Sequence, residues 1–569
     1  MLYCSRAVGL NEYMQSETRN CQNCKNQFTI EPEDFDFYKK MDVPAPTFCP
    51  DCRFKQRAVW RNEMMLYSRT CNLCDKSTLS MYHPKSPYVI YCQDCWMSDK
   101  WDPFSYGQNY NFNKPFFEQF NELLRAVPKF GIYASNEMGP NINSEYTNFA
   151  GGSKDCYLVF NSSPQNENCA YGRGLSYCRD VFDSYFLSKT ERAYEAINVH
   201  ESSTVSWAQD VTGCINSFYL LNCSGCQNCF GCVNLRQKTY YFLNQPLTKK
   251  EYEKRVNEIR GSYQRMEEFK MRFEKLAISL PRRENANLKN LNSTGNYIFE
   301  SKNCFNSFEI ESCENSQYLF AVKFAKDSYD LIGHGRMSEL LLEGVAVGTS
   351  QRVLGSWWVM GSHDVEYSFA LRSGENCIGC DGVHNAKFAV LNKQYPEEEY
   401  KKIRAHIVTE LKEKGLYGMY FPKELALFAY NETIAQDNFP LTKEVAITQG
   451  FRWQNELQKT SGRETLKSDK IPDHIKDVPD TITKEILSCI TCGRNYKIIL
   501  AELQLYRNML LPIPRQCFYC RHQDRIRRRG PMKIFDRVCT NCKKEIKTTY
   551  SPDRPEIVYC EACYQQEVV

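Results

Sequence analysis

Histidine is scarce in this chain, with eight in 569 residues, and none stands in an H-E-x-x-H pair, so the commonest helical zinc-peptidase centre is excluded. A Walker loop, a dinucleotide fingerprint and a G-x-S-x-G elbow are also missing, which removes the usual nucleotide-dependent and serine-hydrolase readings. No apolar run approaches the roughly 18 residues of a membrane span. The stretch Met1 to Asn20 is too polar for a signal peptide. These absences predict a cytoplasmic chain without membrane partners. Net charge is small, +4, so the chain as a whole is not a polycation built to coat nucleic acid.

Cysteine and aromatic residues are plentiful, with 29 Cys and 13% Phe, Trp and Tyr. Sixteen of the cysteines fall into C-x2-C pairs at the two ends of the chain. Near the N-terminus these are Cys21 and Cys24, Cys49 and Cys52, Cys71 and Cys74, Cys92 and Cys95. Near the C-terminus they are Cys489 and Cys492, Cys517 and Cys520, Cys539 and Cys542, Cys560 and Cys563. The second set is the first displaced by 468 positions without insertion or deletion. Tyr38, Pro44, Pro46, Tyr82 and Tyr91 return as Tyr506, Pro512, Pro514, Tyr550 and Tyr559, so the modules are duplicated and not merely similar in spacing.

A C-x2-C turn points two sulfurs at one place, and two such turns complete the tetrahedron that Zn²⁺ accepts. Loops of 24 and 17 residues separate the turns within each pair. These are too short to bury a core unaided, so metal would supply much of the folding energy. Four structural Zn²⁺ sites with sequential ligands are predicted; cross-bracing, disulfides and an iron centre are the alternatives. Each zinc with four thiolates would carry a net −2, taking the chain from +4 to −4.

The segment Cys21 to Arg53, with Phe28, Phe37, Tyr38, Pro44, Pro46 and Cys49-Pro50-Asp51-Cys52-Arg53, resembles small zinc-ribbon or treble-clef domains. The chain more widely resembles a group of large multi-zinc-ribbon proteins predicted from genomes of uncultivated bacteria. The resemblance is carried by Asn228-Cys229-Phe230-Gly231-Cys232-Val233-Asn234-Leu235, Phe421-Pro422-Lys423-Glu424, Tyr430-Asn431-Glu432-Thr433-Ile434-Ala435 and Phe439-Pro440-Leu441-Thr442-Lys443-Glu444. It implies zinc-ribbon modules and brings no activity with it.

Between the cysteine modules lies a second duplication. Cys156, Cys229, Cys232, Asn244 and Tyr252 return 148 residues later as Cys304, Cys377, Cys380, Asn392 and Tyr400. Short β-like runs such as Asp155–Phe160, Asp183–Leu187, Asn315–Phe320 and Asp327–Ile332 recur between Asn, Ser, Gly and Asp turns, at uneven separations of 9 to 33 residues. They suggest a β-solenoid, with a sandwich as the alternative. A capping box, Thr248-x-x-Glu251, opens an apolar stripe from Tyr252 to Leu276 that reads as one amphipathic helix. Tyr400, Ile403, Ile407 and Leu411 make the matching stripe.

The fold class expected is mixed and mainly β: tandem Cys4 ribbons at both ends of a duplicated β-rich centre with amphipathic helices. The divisions are 16–100 for the first double ribbon, 141–285 and 286–460 for the repeats, 461–484 for a polar linker and 485–569 for the last double ribbon.

Three features bear on function. Cys223, Cys226, Cys229 and Cys232 form a run that packs inside a coil, holds a further metal, or holds an iron–sulfur cluster. An Arg-rich stretch follows each first ribbon: Arg53, Lys55, Arg57 and Arg61, then Arg521, Arg525, Arg527, Arg528 and Arg529. From residue 485 onward there are 15 Lys and Arg against 9 Asp and Glu. Arginines four apart share a helix face that would match phosphates, with Trp60, Tyr67, Phe518 and Tyr519 placed to stack bases. His363-Asp364 and His384 read as structural; Trp357-Trp358 would suit stacking on sugar in a polysaccharide-cleaving β-helix groove, a reading that a cytoplasmic, zinc-rich chain disfavours. The sequence thus predicts a zinc-stabilised, non-enzymatic binding protein that contacts RNA or DNA through Arg. The alternatives are a protein-interaction scaffold and an enzyme using the central cysteines.

Overall fold

A computed structural model describes residues 15–134, 139–162, 164–457 and 459–568; the first fourteen residues, part of the stretch read for a leader, lie outside them. The chain is mainly β and divides into two compact units, each assembled from three segments. One comprises Met1–Trp60, Asp102–Val127 and Cys313–Ala426; the other comprises Arg61–Trp101, Pro128–Ser312 and Leu427–Val569. The two N-terminal ribbons therefore belong to different units.

In the second of these units the strands between Thr147 and Pro246 form a 14-stranded sheet. Its neighbours are parallel except for the closing pair Tyr241–Phe242 with Gln245–Pro246, and apart from one step of thirteen they stay in register at a step of twelve residues. One column runs Arg173, Tyr185, Ile197, Gln209, Leu221 and Val233. In the other unit Gln351, His363, Glu375 and Lys387 step by twelve in the same way. The uneven separations expected from the sequence conceal this regular period, because only some rungs carry the apolar strand signature.

A finer period of three lies within the twelve. From Tyr177 to Trp207, left-handed φ values of 47° to 61° recur at Tyr177, Asp180, Asp183, Phe186, Lys189, Arg192, Glu195, Asn198, Glu201, Thr204 and Trp207. Left-handed backbone is uncommon for bulky side chains, and here the inter-rung hydrogen bonds hold it in place. Every third residue also points inward. Leu175, Cys178, Val181, Leu187, Ala193, Ala196, Val199, Val205, Ala208, Val211, Cys214 and Leu220 form one buried cluster.

Serine at the inward positions satisfies the interior backbone. Ser217 donates to the Ile215 carbonyl at 2.8 Å and accepts from the Cys229 amide at 3.0 Å. Ser356 donates to Leu354 at 2.8 Å and accepts from Ser368 N–H at 3.0 Å.

The stripe from Tyr252 to Leu276 is two helices, not one. Lys249–Ile259 opens with the Thr248 and Glu251 capping box, and Tyr263–Ser279 starts at Ser262. Gly261 breaks them at φ +87°, where a Cβ would stand 2.6 Å from His474 Nε2. Phe269 of the second helix lies where a Cβ on Gly231 would be, 2.5 Å away, so the helix seats directly on the ladder. In the other unit Tyr400, Ile403, Ile407 and Leu411 form the buried face of Glu397–Glu413. The polar stretch 461–484 carries Ile471, Ile475, Val478 and Ile482 into a buried core, which ties it to the fold more closely than a linker needs.

Candidate metal centres and arginine clamps

Four groups of cysteines bring their sulfurs together, each within 4.8 Å: Cys21, Cys24, Cys49, Cys52; Cys71, Cys74, Cys92, Cys95; Cys489, Cys492, Cys517, Cys520; and Cys539, Cys542, Cys560, Cys563. The groups are sequential along the chain, without cross-bracing. Each of the three longer hairpins (Glu17–Asn20 with Gln27–Ile30, Tyr67–Thr70 with Ser77–Ser80, Phe535–Val538 with Glu545–Thr548) leads into a cysteine knuckle. Cys49, Cys92 and Cys517 cap helices whose first turns hold Cys52, Cys95 and Cys520.

The sulfurs that close each group lie 3.7 to 3.9 Å apart. A regular tetrahedron with metal–sulfur bonds of about 2.3 Å has edges of about 3.8 Å, so these groups could hold metal ions without rearrangement. Backbone amides favour thiolate as well. Cys49, Cys92 and Cys560 N–H each donate to the first cysteine of their group at 3.2 Å. Burial opposes ionisation of Cys71, but the amides of Cys92, Leu73 and Cys74 bring it down to about 6. Cys539 reaches about 6 in the same way, with burial opposed by the amides of Cys560, Cys542 and Asn541.

The arginines do not form a phosphate-binding face. Arg53, Arg57, Arg61, Arg521, Arg525 and Arg529 are all buried. Lys55 and Arg528 are half-buried, and Arg527 is exposed beside Asp524. The four-step spacing does align the guanidiniums, but the partners they meet are carboxylates on the ladder. In one unit Arg53 Nε lies 3.1 Å from Asp330, and Arg57 pairs with Asp330 at 2.9 Å and with Glu343. In the other, Arg521 pairs with Asp183 at 2.9 Å, and Arg525 with Asp183 at 3.1 Å and Glu195 at 2.7 Å. Arg529 reaches Glu309 at 3.1 Å, while Arg61 and Arg173 share Glu63 at 2.6 and 2.7 Å.

Each clamp repeats one design. Two arginines one helical turn apart, just past a metal-group cysteine, hold an Asp on one rung and a Glu on the next. Asp183, Glu195, Asp330 and Glu343 all have left-handed φ. The acids were missed in the sequence because ladder position, not local motif, selects them; their spacing of one rung is the signal that would have found them.

The proposed base-stacking residues are not free either. Trp60 is buried against Phe421, Tyr67 donates to Glu432 at 2.7 Å, Phe518 packs on Tyr171, and Arg494 covers Tyr519. Trp357 and Trp358 are buried, while His363 is exposed beside Asp364.

Cys223, Cys226, Cys229 and Cys232 occupy successive inward positions and are fully buried. Among the described residues they form no convergent metal group. Each thiol instead donates to carbonyls two residues back and nine ahead, as Cys223 does to Leu221 and Cys232 at 3.5 and 3.4 Å. They do the work serine does elsewhere in the column, with a larger and less polar atom.

No family model matches the chain, and no curated protein matches it. Among the described residues no helix is long and apolar enough to cross a membrane.

Proposed function

We propose that this chain is a zinc-stabilised, non-enzymatic scaffold in which four Zn²⁺ ions organise treble-clef-like heads and two β-solenoid stacks present surfaces to protein partners. The observation that carries this reading is the use of the duplicated arginine spacing inside the molecule. Guanidiniums neutralised by buried carboxylates are unavailable to phosphates, and their removal from the surface leaves Arg527 as the exposed member of the C-terminal cluster. Zinc is favoured over other metals by all-thiolate ligand sets with tetrahedral sulfur spacing. The twelve-residue parallel register supports stacked coils over a sandwich, whose sheets would be antiparallel.

The test is metal analysis of purified full-length protein together with a salt series of RNA and DNA binding. Four zinc per chain, no visible chromophore and no salt-dependent nucleic-acid binding support the scaffold. Tight binding that falls steeply with salt would restore the nucleic-acid reading. A visible iron band would move function to the central cysteines.

A further inference from the structure

Each arginine clamp holds a third acid, supplied by the ribbon itself. Asp34 and Glu502 stand 468 positions apart, each at the third residue of its helix, Pro32–Lys40 and Leu500–Asn508. Both accept from the backbone N–H that opens the helix, Glu31 at 3.1 Å and Ile499 at 2.9 Å. Both are buried. Glu502 lies 3.5 Å from Arg521. Asp34 stands in the fields of Arg53 and Asp330.

The two clamps differ in charge. In the C-terminal one, Asp183, Glu195 and Glu502 meet three guanidiniums, because Arg528 joins Arg521 and Arg525 by reaching Glu195 at 2.5 Å. In the N-terminal one, Trp60 occupies the position equivalent to Arg528. Asp34, Asp330 and Glu343 therefore meet Arg53 and Arg57 alone. Among the described residues no further cation lies within ion-pair distance of these acids. One negative charge is in excess among side chains that are at most 2% exposed. An uncompensated buried charge is costly, and an acid placed there takes up a proton instead.

Glu343 Oε1 is the open oxygen. Arg57 holds Oε2, whereas Oε1 lies 3.7 Å from Arg53 Nε and has no hydrogen bond. Burial pushes Glu343 up to about 7, with Arg57 and Arg53 opposing and Asp330 assisting. The other titratable groups facing the site are Asp34 and Tyr38 from the ribbon helix and Tyr318, Tyr329 and Tyr367 from the ladder, none of them a cation. Burial raises Glu502 to about 7 as well. Its two oxygens, however, accept from Tyr171, Tyr506 and the Ile499 amide, each at 2.9 Å, which favours the ionised form in a clamp already balanced.

We propose that the N-terminal clamp is a proton-operated latch: one proton held among Asp34, Asp330 and Glu343 keeps the first ribbon seated on its ladder, and loss of that proton loosens the seat, while the balanced C-terminal clamp stays closed. A raised acid stabilises the fold fully below its unfolded value of 4.5 and loses that contribution as pH rises through about 7. The latch therefore tightens in mild acid and loosens just above neutrality.

Hydrogen exchange on zinc-loaded full-length protein, read by mass spectrometry, measures opening of the segment 32–58 in wild type and in Glu343→Gln, which mimics the protonated acid. Both proteins carry the same cysteines, so acid release of metal cancels in their ratio. Between about pH 5.5 and about pH 8 the ratio of opening, wild type over variant, should rise at least about tenfold. The segment 500–529 should show no such rise. A level ratio overturns the proposal, and so does an equal rise in both segments. Should Glu343→Gln fail to fold, Asp34→Asn, which removes the same excess charge, takes its place and is read in the same way.

Discussion

Arg525 sets its guanidinium 2.7 Å from Glu195, in a contact from which water is all but excluded. The arginine stands one turn beyond Cys520 on the helix Phe518–Arg529, and the glutamate stands at a left-handed corner of the ladder. Cysteine group, helix and ladder are therefore coupled through this contact and its neighbours, Arg521 and Arg525 with Asp183 and Arg529 with Glu309. Such a pair contributes less than its Coulomb energy suggests, because both ions were desolvated to form it, but breaking it leaves a buried charge alone.

Arg525→Met should therefore be strongly destabilising, by about 3–5 kcal/mol, since Asp183 and Glu195 lose a shared partner. Arg527→Ala, on the exposed side of the same helix, should fall within about 0.5 kcal/mol of wild type. Urea unfolding of the two variants separates the clamp from a generic effect of removing arginine. Equal losses would show that burial of the pair is not what matters.

Cys489→Ser should lower the zinc content by one ion and also lower the unfolding temperature of the ladder it is clamped to. The reason is that Arg521 and Arg525 depend on the helix that Cys517 caps. Calorimetry of the full-length variant checks this. A ladder transition that stays at the wild-type temperature would mean the head is an independent module.

Cys226→Ser should leave zinc content unchanged and cost under about 1.5 kcal/mol, because serine makes the same inward hydrogen bonds elsewhere in the column. Cys229→Leu should overpack the interior and cost about 1–3 kcal/mol. Loss of a metal ion from either variant would contradict the packing role assigned to these thiols.

Glu63 gives a pH dependence with a definite sign. Burial acts to raise its pKa, but Arg173 and Arg61 pull it down to about 2, from an ordinary value of 4.5. A depressed acid stabilises the fold above its unfolded pKa and loses that contribution as pH falls. The share from Glu63, about 3 kcal/mol at most, is therefore present above about pH 4.5 and lost toward pH 2. Thiolate protonation also releases metal in acid, so the comparison is made between wild type and Glu63→Gln at each pH. Their stability difference should shrink as pH falls, and a constant difference would remove Glu63 as the cause.

The metal groups were legible because their geometry is local. A C-x2-C turn aims two sulfurs wherever it occurs, and the 468-residue displacement repeats all sixteen positions. The helix stripe Tyr400 to Leu411 was legible for the same reason, since a 3.6-residue period needs no outside partner. The break at Gly261 was less so, because the stripe of apolar residues continues across it and His474 and Asp473, far along the chain, occupy the turn.

By itself the sequence determined the four cysteine groups, both duplications and the mainly β character, all of which rest on residue spacing. Tertiary structure decided what the arginines do. A guanidinium on a four-residue stripe is equally suited to phosphate and to carboxylate, and only the placement of Asp183, Glu195, Asp330 and Glu343 on neighbouring rungs turns that stripe inward. It also decided that the central cysteines pack in place of converging, because their directions follow from the three-residue period of the backbone and not from their separation along the chain.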